Sequence, residues 1–155
     1  MKVLVWIAEA TWPACIDTVT EIFADAEVRL LATVSTELVA QAAGARIGLW
    51  GRGADSNPVA EMAQSAAHAR LAAAAARLGR AAETQLRTGR PEREVTAAAA
   101  EADVLVLARD GDLSRLGPRS LDKHTRFVID HAPCRVVLVW PGTAPDLASI
   151  PAPPD

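Results

Sequence analysis

The sequence predicts an α/β domain, a three-layer α/β/α sandwich built on a five-stranded parallel sheet. Three observations carry this reading. Val3 to Ile7 and Val104 to Leu107 are continuous apolar runs, the mark of strands covered on both faces, and Val28 to Val34 and Arg135 to Trp140 are mostly apolar strand segments. Segments with helical spacing lie between these runs, and Gly or Pro punctuates the junctions.

The elements follow in order. After the first strand, Thr11 is placed to cap a helix whose first turn tolerates Pro13, because that amide has no intrahelical partner. Ile16, Val19, Ile22 and Phe23 then recur on one face. Past the second strand, Thr36 to Ala43 reads as a short helix closed by Gly44. Gly48, Gly51 and Gly53 make the remainder of the 35–57 stretch a loop, with Trp50 as a candidate pocket cover or partner contact. Asn57-Pro58 opens an Ala-rich helix that runs to Leu78 and stops at Gly79. Glu83 to Thr88 alternates in polarity as a half-exposed strand, Gly89 turns the chain, and Pro91 begins a helix reaching Ala102. Ser120 to His131 is the last helix, stopped by Pro133. The folded domain spans 1–141, and the Pro-rich tail 142–155 is expected to be disordered.

Composition narrows the function. A chain of 155 residues is expected to form one domain with a sizeable core. A net charge of −3 and no basic cluster with interleaved aromatics argue against nucleic acid. The opening apolar run is too short for a signal peptide and lacks a small-residue cleavage site. No stretch approaches a membrane span. Cys15 and Cys134 sit in apolar surroundings and read as reduced core residues, so a cytoplasmic protein is expected.

The layout and its local sequences resemble the universal stress protein family over residues 2 to about 141. His131-Ala-Pro-Cys134 leading into Val136-Val-Leu-Val139, the Thr88-Gly-Arg-Pro91 turn and Ala102-Asp-Val-Leu-Val106 carry the resemblance. It implies an adenine-nucleotide α-hydrolase-like sheet of order 3-2-1-4-5. It also implies a homodimer joined through the last strand, here Val136, Val137, Leu138, Val139 and Trp140. That strand carries no Pro or Lys to protect an exposed edge.

Nucleotide-binding members of the family hold adenosine with an Asp after the first strand. They hold phosphates with Gly-two-Gly after the fourth strand and, nine residues on, Gly followed by Ser or Thr. This chain departs at each place. The Asp position holds Ala8, with Glu9 offset by one and Ala10 where a small hydroxyl is common. The first glycine is Ala108, Gly111 alone matches, and the final pair is Asp122-Lys123 with ten intervening residues. Asp122 would set like charge against a phosphate, so no ATP cofactor is expected.

The leading expectation is therefore a non-catalytic dimeric regulatory or interaction module in stress response, with an unidentified protein partner. The alternative is a sensor of a nucleotide or another anion in an altered pocket, using Arg109, Gly111 and Lys123; Arg115, Arg119 and Arg126 add positive charge nearby. Other chemistry is weaker. Asp110-Gly-Asp112, with Asp122 and His124, could suggest a metal site but is also ordinary turn chemistry. His124 and His131 share a helical face without the third ligand zinc needs. Cys134 beside His131 would be nucleophilic only if both were exposed and in reach. No Walker loop or nucleophile elbow is present, and no general base stands out, so no enzyme activity is expected.

Overall fold

The structure, a computed structural model, describes residues 1–47 and 57–154. Five parallel strands form one sheet in the order β3-β2-β1-β4-β5. They are β1 (Lys2–Trp6), β2 (Glu27–Ser35), β3 (Glu83–Gly89), β4 (Val104–Ala108) and β5 (Arg135–Val139). The helices are α1 (Trp12–Ile22), α2 (Thr36–Ile47), α3 (Pro58–Leu78), α4 (Pro91–Ala99) and α5 (Lys123–His131). The central strands are apolar on both faces because each face is roofed. Val3, Val5, Leu30, Ala32 and Val106 meet α1 and α3, while Leu4, Leu31, Leu105 and Leu107 meet Val95 of α4 and Val128 of α5. The α3 alanines are small enough to bring that helix close to the sheet, with Ala67 and Ala74 fully buried.

Most element junctions follow their sequence signals. The Asn57 side chain caps α3 by accepting from the Ala60 amide at 3.3 Å, and Gly79 closes the helix with φ of 69°. Four details differ. Helix α4 ends at Ala99, short of Ala102. Thr11 makes no side-chain cap to α1. Helix α2 continues through Gly44 to Ile47, since one interior glycine weakens a helix without ending it. The last helix starts at Lys123 rather than Ser120. Residues Pro118–Ser120 form a separate 3₁₀ turn, and Leu121 and Asp122 are extended. Trp6 is buried in the cluster with Leu4, Leu105 and Val128. Trp50 and its glycines lie outside the described residues. In the tail, Leu147–Ser149 form a 3₁₀ turn, and Ser149 Oγ accepts the Leu116 amide at 3.0 Å.

The strand order reverses direction between β1 and β4, which places the crevice of such a sheet at the carboxyl ends of these two strands. The segments leaving them are Ala8–Thr11 and Arg109–Asp122.

Candidate functional site

The turn after β1 carries no ionisable group at the position of the family aspartate. Ala8 packs against the cluster formed by Leu4, Trp6 and Leu105. Ala10 has φ of 65°, a left-handed conformation that costs an alanine about 1 kcal/mol, and the Thr11 amide folds back to Glu9 O at 2.9 Å. From α3, Arg70 donates its Nε to Ile7 O at 3.3 Å, so one cation does reach the end of β1.

The segment after β4 turns back on itself. The amides of Asp110 and Gly111 both donate to Ser120 O, at 3.2 and 2.9 Å, and the Asp112 amide donates to Arg119 O at 2.8 Å. These are the amides that a glycine-rich turn would otherwise present to a phosphate. Gly111 is required here by its own chain. A Cβ at that position would stand 2.4 Å from Arg119 O, 2.9 Å from Ser120 C and 3.0 Å from Leu121 C.

Side chains complete the closure. Arg109 lies over the Trp140 ring, 4.7 Å from its centroid, and donates to Ser120 Oγ. Ser120, fully buried, donates its own hydroxyl to Gly117 O at 2.6 Å. The Arg109 Nε is buried without a partner among the described residues. The Asp110 carboxylate reaches α5, accepting from the Asp122 amide at 3.0 Å and from the Thr125 hydroxyl at 2.7 Å. Arg126 donates to Pro118 O at 2.7 Å, and Arg115 pairs with Asp112 at 3.1 Å. The Asp112 carboxyl is held below its ordinary range by the Ser114 hydroxyl and amide, with Arg115 adding to the effect.

Each of the three residues expected to hold an anion has its own setting. Arg109 is committed to Trp140 and Ser120, Gly111 to the 119–121 backbone, and Lys123 stands exposed on the first turn of α5. A shallow cavity lined by Lys2, Val3, Leu4, Glu27, Arg29 and Glu101 opens at the opposite, amino end of the sheet. Its polar wall is an ion-pair cluster, Arg29 with Glu83 at 3.0 Å and Glu101 at 2.9 Å, and it carries no reactive group.

The histidines also diverge. His124 Nδ1 meets Glu92 at 2.8 Å and ties α5 to α4, while His131 Nδ1 meets Phe127 O at 2.7 Å with the two rings stacked. Burial pushes the Glu92 carboxyl up. Its own amide, His124 and Arg90 outweigh that, leaving it below the ordinary glutamate range. Among the described residues, no group of three or more His, Cys, Asp or Glu is placed to hold a metal ion. Burial raises the Cys15 thiol to about 12 and pushes Cys134 upward as well, the opposite of nucleophile activation.

Strand β5 is the sheet edge, with Val136 to Val139 partly exposed. The Arg135 amide and the Val139 carbonyl bond toward β4. Alternation along a parallel strand therefore turns the backbone groups of Val136 and Leu138 outward. No described helix is long and apolar enough to cross a membrane.

Sequence reasoning missed Asp110 and Ser120. The sequence offered no local signal for either, because a helix read from Ser120 already has the acidic Asp122 in its first turn.

Comparison with known proteins agrees with this architecture. The solved structure of hypothetical protein MJ0577 is 18% identical, with a TM-score of 0.62, covering 92% of this chain and 97% of that one. The universal stress protein UspA from Lactobacillus plantarum is 21% identical, with a TM-score of 0.58, covering 90% and 97%. A universal stress protein solved in complex with cAMP is 18% identical, with a TM-score of 0.59, covering 92% and 98%. At these identities the likeness concerns the fold. No curated protein sequence matches the chain. The model of the universal stress protein family matches residues 22–139, most of the sequence. With that match and the 3-2-1-4-5 sheet, the chain belongs to the universal stress protein family.

Proposed function

We propose that this chain is a non-catalytic regulatory or interaction module in stress response, homodimeric through β5 and not binding ATP. The observation that carries the reading is the closed turn after β4. The amides of residues 110–112 are spent on Ser120 O and Arg119 O, and the start of α5 is occupied by Asp110. A triphosphate placed there would have to displace these bonds and meet the Asp110 and Asp122 carboxylates, with Ala8 unable to anchor a ribose. One relative in the fold is solved with cAMP, but Arg109 and Gly111, the residues for sensing another anion here, have other engagements.

The dimer is supported by the position of β5. Its edge, Val136, Val137, Leu138 and Val139 with Trp140 just beyond, has no protective Lys or Pro. Sedimentation of wild type and Leu138→Pro tests it. Proline at 138 deletes an outward-facing donor and leaves the β4 ladder amides of 135, 137 and 139 in place. A wild-type dimer and a folded Leu138→Pro monomer are expected. A monomeric wild type, or a variant dimer as tight as wild type, would refute pairing through β5.

A further inference from the structure

The carboxylate of Asp110 lies against the start of helix α5. It accepts the Asp122 amide at 3.0 Å with one oxygen and the Thr125 hydroxyl at 2.7 Å with the other. Thr125 is 1% exposed, so its hydroxyl has little alternative partner. Helix α5 has Asp122 at its N-cap, but that side chain makes no cap hydrogen bond; its first turn has no Asp or Glu, and Lys123 adds a cation there. Helix N-termini favour negative charge through free amides and the helix dipole. Asp110 is twelve residues upstream of Asp122, and its backbone amide is in turn fixed to Ser120 O at 3.2 Å. One residue therefore ties the end of β4, the 3₁₀ turn and the start of α5.

We propose that Asp110 is a built-in anionic ligand, a latch that holds the 109–122 segment closed without any bound phosphate. The face made by the β4 turn and α5 then keeps one shape whatever the nucleotide supply. That consequence rests on the proposed function above.

The test uses the full chain and inorganic phosphate as the probe. Wild type, Asp110→Ala and Asp110→Asn are melted against rising phosphate, with chloride at matched ionic strength. The folding equilibrium of Asp110→Ala should fall about ten- to a hundredfold, the scale of lost charge-assisted hydrogen bonds. Phosphate should then raise its midpoint saturably and by more than it raises wild type. Asp110→Asn fills the same space without the charge; it should lose stability without gaining a phosphate response, and that loss tests the latch if the alanine variant does not fold. A variant as stable as wild type would overturn the latch. So would a phosphate response of Asp110→Ala no larger than that of wild type. Binding of Mg-ATP by wild type would instead overturn the proposed function, so the two failures are distinguishable.

Discussion

Replacing Gly111 with alanine separates two reasons for a glycine in this turn. In a phosphate-binding turn, glycine lets amides approach the ligand, and an alanine there would chiefly weaken binding. Here the obstacle is the protein's own backbone, with Arg119 O 2.4 Å from the added Cβ. Two further backbone atoms lie at 2.9 and 3.0 Å, and neither can swing aside as a side chain would. The 119–121 segment must move, which stretches the three amide bonds to Ser120 O and Arg119 O. Overpacking of this kind costs about 1–3 kcal/mol. Weakening the amide bonds adds roughly 1 kcal/mol, giving a total of about 2–4 kcal/mol. For a chain of this size the midpoint should drop by roughly 5–15 °C. Thermal and urea unfolding followed by tryptophan fluorescence measure the midpoint and the free energy, with Gly142→Ala as control because nothing beyond its chain neighbours lies within 4 Å of its added Cβ. The control should stay within about 0.5 kcal/mol of wild type. A Gly111→Ala variant equally close to wild type would refute the steric closure.

Other perturbations test the surrounding structure. Leu30→Ala, at a fully buried site on β2, should cost about 2–5 kcal/mol in urea unfolding. In the folded protein Cys15 should resist a thiol reagent at mildly alkaline pH and react only on unfolding, since burial raises it to about 12; rapid native labelling would contradict its placement. Glu92 is depressed in the folded state, so its contribution is present above the unfolded carboxylate value and is lost as pH falls through the lower folded value. The stability gap between wild type and Glu92→Gln should therefore be widest near neutrality and narrow below roughly pH 4. A gap independent of pH would place the effect elsewhere.

The strands were legible because a sheet roofed on both faces demands uninterrupted apolar runs, and Val3 to Ile7 and Val104 to Leu107 supply them. Helix ends with a Pro start or Gly stop, such as Pro58 and Gly79, were legible for similarly local reasons. Gly44 misled because its cost inside a helix is smaller than the gain from continuing it. The departures from the family pattern were readable at Ala8, Ala108 and Asp122. What fills the space was hidden, because Asp110 reaches Thr125 and Arg109 reaches Ser120 across a loop whose path no local pattern specifies. Asp-Gly-Asp read as turn chemistry, which accounts for Asp112 and Ser114 but leaves out the role of Asp110 at α5.

Calorimetric titration of the purified protein with Mg-ATP, paired with acid extraction of the same preparation for retained nucleotide, tests the closed turn most directly. No heat beyond dilution and no retained nucleotide are predicted. Micromolar binding near one nucleotide per chain would contradict it, because the amides of residues 110–112 and the start of α5 would then have to open for the ligand.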